Sequence, residues 1–310
     1  MPYRNNPNHT REATPTQICD IYFHIPKTAG QTLSNQLFRE HRHKAALETH
    51  IGFMTPSAWK HFIQQLTTQA AQPNFHCSAL IGHMKFGIHE LLPMPSQYIT
   101  FVRNPVKRFA SYYYMVRRMG VIPSHHRFDP NRPDWNLPSF EPLVAELDNG
   151  QTRALANADW DLPFGQCTEK HLKTAKANID KYFAFVGLTE HFDLSLAMLR
   201  QRFGWQWHLY VPKNVMPSKQ EYRMPPDILE AITELNRYDR ELYAYVSEKF
   251  WQEVPHYGRS LHLELGAFKA CNAVHQTIHR TYYPVKLKLK RLWKARKLKK
   301  IRRARSKLSK

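Results

Sequence analysis

Long apolar runs are missing from this 310-residue chain. No stretch approaches the roughly 18 residues needed to cross a bilayer, and the opening MPYRNNPNHTREATPTQ lacks the apolar centre of a secretory leader. The expectation is a cytoplasmic globular protein, with a peripheral membrane contact left open. Cysteine is scarce: Cys19, Cys77, Cys167 and Cys271 stand far apart, with no metal-ligand pairing and no dense disulfide framework, so reduced thiols are expected. The 18 histidines scatter without a His-x-x-x-His pair that has a third ligand nearby, so no metal is expected. Acid is missing from the end of the chain. About 14 of the positive charges behind the net +20 follow Val285 with no acid among them, and the body is only mildly basic.

That tail carries Leu289, Leu292, Trp293, Leu298, Ile301 and Leu308 at rough helical spacing. Two readings stay open: an amphipathic helix on an anionic membrane or other polyanion, and a solvated tail. Nothing in it reads nucleic-acid sequence.

Alternation of apolar and helical stretches organises the rest. Residues 18–23, 78–83, 98–103 and 182–188 read as buried strands, and 105–118, 168–180, 190–203, 226–237 and 239–251 as helices. Such alternation implies an α/β fold, a parallel sheet flanked by helices on both faces. A Pro- and His-rich stretch between 121 and 142 reads as a long surface loop or lid, and 259–283 as one more helix.

Two turns hold the candidate chemistry. In YFHIPKTAGQTL (22–33), Pro26 stops a strand, Gly30 permits a close backbone approach, and Leu33 and Leu37 open a helical face. Backbone N–H groups gather at such a helix start and attract anions; Lys27, Thr28 and Thr32 add a charge and two hydroxyls. Taken alone, the segment reads equally as an ordinary turn with a surface lysine. It is not a Walker loop, because the lysine precedes the only glycine. In YITFVRNPVKRFASYYYMVRR (98–118), Arg103 ends a strand and Pro105 suits the first helical position; Ser111, Arg108 and Lys107 can share one face near that strand tip. Arginine gives a phosphate planar, paired donors. By itself, this segment also fits a core helix with a solvated basic face.

Together the two turns suit a ligand with two separated anionic groups, and here the residues resemble a known family. FHIPKTAGQTL is similar to the 5′-phosphosulfate loop, and RNPVKRFASYYY to the 3′-phosphate motif, of sulfotransferases that use 3′-phosphoadenosine 5′-phosphosulfate (PAPS). The nearest resemblance is to the carbohydrate type, with heparan and uronyl 2-O-sulfotransferases and bacterial relatives. IGHMKFG, DNGQTRALAN, a segment over 175–205 and NRYDRELY follow in that family's order, so the likeness covers about residues 18–250. It implies a P-loop-like parallel sheet in a sulfotransferase domain over 18–258, between a disordered stub (1–17) and a C-terminal helix with basic tail (259–310).

The resemblance implies sulfuryl transfer from PAPS, as co-substrate without a metal, to a hydroxyl acceptor, a carbohydrate by family likeness, releasing 3′,5′-ADP. It assigns Lys27 to the departing phosphate oxygen and Thr28, Ala29, Gly30, Gln31 and Thr32 to the 5′-phosphosulfate. His83 becomes the general base, with His89, His125 and His126 next in line. Arg103 and Ser111 hold the 3′-phosphate; Lys219, with Ser218, closes over the nucleotide. Gln151 and Arg153 become candidate contacts to cofactor or acceptor, as do His125 and His126. A nucleotide-dependent phosphotransferase and a noncatalytic polyanion- or membrane-binding protein are the competing readings.

Overall fold

The protein's structure, a computed structural model, describes residues 18–41, 46–49, 56–118, 148–158, 162–206, 208–212 and 226–308. These residues group into two compact units, 18–192 with 226–253 and 193–212 with 254–308.

The first unit is built on five parallel strands: β1 (Cys19–Phe23), β2 (Ala46–Thr49), β3 (Ala79–Gly82), β4 (Ser96–Val102) and β5 (Phe183–Leu188), in the order β2-β3-β1-β4-β5. Parallel neighbours need crossovers, and here helices supply them. They are α1 (Gly30–His41), α2 (Pro56–Ala70), α3 (Pro105–Arg118), α4 (Gly150–Leu155) and α5 (Glu169–Tyr182), followed by α6 (Phe192–Phe203), α7 (Pro226–Leu235) and α8 (Arg237–Glu253). The central strands read as near-continuous apolar runs because both of their faces are covered. Ile21, Tyr22, Leu80, Ile99 and Phe101 have at most 1% of their surface exposed, so the core lies on both sides of β1, β3 and β4.

Side chains lock the layers to the sheet. The Thr100 hydroxyl donates to the Phe23 carbonyl at 2.6 Å, and Gln97 donates to Asp20 at 2.7 Å. His41, at the end of α1, lies 3.5 Å from the same carboxylate. Near the amino-terminal halves of β4 and β5, Phe23, Phe86, Tyr98 and Phe183 form an aromatic cluster with centroids 5.1–6.4 Å apart. Cys19 and Cys77 are free thiols, both buried, with sulfurs 3.4 Å apart. The register pairs Phe23 with Gly82 and Tyr22 with Ile99, which brings the carboxyl ends of β1 and β3 level while β4 runs two residues farther, to Val102. Residues that follow those ends meet at one edge of the sheet.

The second unit joins Asp193–Phe203 of α6 to the long helix α9 (Gly258–Leu308). Among the residues of α9 with described burial, 258–283, Leu261, Phe268 and Asn272 are buried. Tyr210 joins the two by donating its hydroxyl to Asp193 at 2.6 Å and its N–H to Asn272 at 2.8 Å. Burial beside Asp193 raises the Tyr210 phenol, so it remains a donor. An Arg200–Glu264 ion pair at 2.6 Å is about one-third exposed and adds at most about 1 kcal/mol. The helix expected over 259–283 therefore runs on, through the basic segment, to Leu308. No described helix is long and apolar enough to cross a membrane. The stub and the loop between 121 and 142 lie outside the described residues.

Candidate active site

The turn after β1 uses two left-handed residues that are not glycine, Lys27 (φ 69°) and Ala29 (φ 65°). Each such conformation costs about 1–2 kcal/mol, so the surroundings must hold it. Two arginines do this. Arg108 Nε donates to the Pro26 carbonyl at 3.1 Å, and Arg103 Nη1 donates to the Lys27 carbonyl at 3.0 Å.

These contacts orient the loop. In a trans peptide the C=O and the following N–H point opposite ways, and no peptide bond here is cis. With both carbonyls turned to the arginines, the N–H groups of Lys27 and Thr28 face the other side. Helix α1 begins at Gly30, so its first-turn N–H groups and the positive end of its dipole lie at the same place. The loop is thereby an anion receptor with Lys27 on its rim. Lys27 Nζ lies 3.4 Å from Met115 Sδ, a weak, neutral acceptor that leaves the ammonium charge uncompensated by that contact.

Two residues of the loop differ in detail from the expectation. The Thr28 hydroxyl is buried and donates its single proton to the Ile25 carbonyl at 2.7 Å, so Thr28 has its backbone N–H, not its hydroxyl, to give an anion. Gly30 makes room for a protein side chain: a Cβ there would stand 1.5 Å from His24 Nε2. Thr32 is buried in the first turn of α1, and Gln31 beside it is exposed.

His24 is the site residue that sequence reasoning missed. It follows β1 directly, and its ring stacks on His83 with centroids 4.1 Å apart and planes 29° apart. His83 follows Gly82, whose φ of 144° suits glycine, at the carboxyl end of β3. His83 Nδ1 lies 2.9 Å from the His24 carbonyl. A carbonyl can only accept, so Nδ1 carries the proton and Nε2 is left as the basic nitrogen. Burial pulls His83 below the ordinary imidazole range, while the bond to the His24 carbonyl partly restores it. Burial, then His83 and Lys27, push His24 well below that range. Both rings are therefore neutral near pH 7. The signal that would have found His24 is its place directly after β1, level with His83 once β1 and β3 are paired.

Behind the receptor lies a buried polar ring. The Gln151 side chain accepts from the Arg103 N–H at 2.8 Å and donates to the Arg103 carbonyl at 2.9 Å. At the start of α4, the N–H groups of Gln151 and Thr152 donate to the Asp239 carboxylate at 3.1 and 2.7 Å. Asn149, left-handed at φ 52°, accepts from the N–H groups of Tyr238 and Asp239. Gly150 lets the Arg108 guanidinium approach, since a Cβ there would lie 2.9 Å from both terminal nitrogens. Asp239 also favours the charged form of Arg108, although burial is the larger influence and lowers its pKa. Arg153 has no exposed surface and donates to Asp148 at 2.9 Å and to the carbonyls of Pro163 and Leu162.

Gln151 and Arg153 were expected to touch cofactor or acceptor. In the structure both are fully buried and bonded to protein, with Gln151 holding the backbone of Arg103 from behind. Lys27, Gly30, His83 and Arg103 are brought together; Ser111 sits half-buried on α3, and Lys107 is exposed. His89 is elsewhere: its Nδ1 lies 3.0 Å from the Tyr98 hydroxyl, within the aromatic cluster. His125, His126, Ser218 and Lys219 lie outside the described residues. Among the described residues no group of three or more His, Cys, Asp or Glu could hold a metal.

Fold and site define an α/β protein that gathers outward-facing N–H donors, a lysine and a neutral histidine pair at the carboxyl ends of its strands. A family model described as galactose-3-O-sulfotransferase matches residues 3–278. Human galactosylceramide sulfotransferase is 27% identical over 282 residues, covering 83% of this chain and 63% of that relative. Mouse galactose-3-O-sulfotransferase 2 is 23% identical over 288 residues, covering 87% and 69%. Human galactose-3-O-sulfotransferase 3 is 25% identical over 281 residues, covering 84% and 61%. The chain belongs to the galactose-3-O-sulfotransferase family. It spans 63%, 58% and 62% of the human, mouse and bovine galactosylceramide sulfotransferases it matches. The carbohydrate class anticipated from the motifs holds at that level.

Proposed function

We propose that this protein transfers the sulfuryl group of PAPS to a galactose hydroxyl, the 3-hydroxyl by family, on a glycan or glycolipid. Support comes from the family match and from one observation: Arg103 and the His24–His83 pair flank the same Lys27 loop, separated by its backbone. The loop has the donors a phosphosulfate needs, with outward N–H groups, the start of α1 and the Lys27 ammonium. Arg103, with Ser111, would hold a second anionic group such as the 3′-phosphate; Lys219 would add a third contact. The likeness to heparan and uronyl 2-O-sulfotransferases rests on the loop motifs alone.

PAPS supplies an activated sulfuryl group; this chain's residues handle the charges. His83 Nε2 accepts the acceptor's hydroxyl proton as that oxygen bonds to sulfur. Lys27 neutralises the charge appearing on the phosphate oxygen as its bond to sulfur breaks. Neutral His24 lets His83 take up a proton without a second imidazolium beside it.

The test is incubation with labelled PAPS and a panel of galactose-ended glycans and galactolipids, with mass spectrometry of the product. Sulfate on the galactose 3-hydroxyl is expected. Transfer from ATP instead, or no transfer to any sugar, would replace this reading with a phosphotransferase or a noncatalytic binder.

A further inference from the structure

Over residues 258–283, helix α9 has one covered face and one exposed face. Leu261, Phe268 and Asn272 are buried, whereas Leu263 is 76% exposed, Val274 60%, Ile278 52% and Tyr282 68%; Ala267 and Cys271 between them are also exposed. The exposed apolar positions are evenly spaced. Residues 263, 267 and 271 recur eleven positions on as 274, 278 and 282, and again as Val285, Leu289 and Trp293.

Eleven residues make just over three turns of an α-helix, so this interval draws a nearly straight stripe along one side. Thirty steps at about 1.5 Å give it a length of about 45 Å. Pro284, which lacks an N–H and favours a bend, falls between the second and third repeats. Lys286, Lys288, Lys290, Arg291 and Lys294 fall between the stripe positions, and Arg296, at the next one, ends it. No Asp or Glu follows Glu264, while 16 Lys or Arg do.

We propose that α9 lies flat on an anionic lipid surface, with the stripe from Leu263 to Trp293 entering the interface and the flanking cations pairing with headgroups. A polyanion in water would use the charges but leave the apolar stripe uncovered. A second copy of the chain would cover the stripe while bringing two acid-free basic segments together. A bilayer with acidic headgroups satisfies both features at once. The inference stands independently of the sulfuryl-transfer reading.

The full chain is tested by co-sedimentation with vesicles of phosphatidylcholine alone and with roughly 30% phosphatidylserine. Val274→Asp with Ile278→Asp tests the stripe; both positions are exposed, so its circular dichroism and melting should match wild type. Binding to the serine-containing vesicles that weakens about tenfold or more in this variant, while heparin binding persists, is the expected result. Equal vesicle binding by variant and wild type would reduce the tail to a charge-only contact and overturn the proposal. So would no vesicle binding by the wild type, including the case where the wild type is a dimer that the variant splits.

Discussion

Residues 24–30 and 148–153 both pair a cation with a left-handed residue ahead of a helix, yet the surroundings differ. Arg153 is sealed in with Asp148 and two carbonyls and has no exposed surface. Lys27 is half-buried on a loop whose carbonyls are taken by arginines, with its Nζ 3.4 Å from Met115 Sδ. A cation bonded to a buried carboxylate and carbonyls holds the fold together; a cation on the rim of outward-facing donors stands where the proposed anion would be received. The comparison predicts that substitutions at the first region will be felt in stability and at the second in turnover.

The largest effect is expected at Arg153→Leu, which leaves Asp148 buried without its cation. It should cost about 3–5 kcal/mol in denaturant unfolding; a loss below about 1 kcal/mol would erase the distinction. Next comes His83→Ala, which should lower kcat roughly a hundredfold or more, equivalent to about 2.7 kcal/mol, with little change in unfolding. Lys27→Gly should separate the two properties outright. It relieves a left-handed φ, so the protein should gain about 1 kcal/mol of stability while losing turnover. A variant that keeps wild-type turnover would remove Lys27 from the chemistry.

The smallest effect concerns pH. His24 and His83 are held below the ordinary value of 6.5, so the unfolded chain binds more protons than the folded one as pH falls through and below 6.5. Their contribution to stability is complete above 6.5 and is lost toward their lower folded values. The melting temperature should fall between pH 7 and pH 5, and less steeply in His24→Asn. By the same shift, the acidic limb of kcat/KM should have its midpoint below 6.5.

Much of the sheet was legible because buried parallel strands are apolar throughout; residues 78–83 and 182–188 contain the strands Ala79–Gly82 and Phe183–Leu188. Ala46–Thr49 escaped notice because it is a four-residue edge strand, ALET, without an apolar run. Gly150–Leu155 is too short to show a helical period. Lys27 and Arg103 could be marked from their turns, but their contact depends on β1 lying beside β4. The stacking of His24 on His83 likewise depends on the pairing of β1 with β3. Burial explains Gln151 and Arg153: donor-rich side chains look alike in a sequence whether they face a ligand or the protein's own carbonyls.

The most direct test of the central claim is thermal stabilisation of the full chain by 3′,5′-ADP, compared with ATP at equal concentration. A two-ended receptor predicts a clear upward shift with 3′,5′-ADP, a smaller one with ATP, and loss of that preference in Arg103→Ala. An equal response to both nucleotides, or none to either, would contradict it.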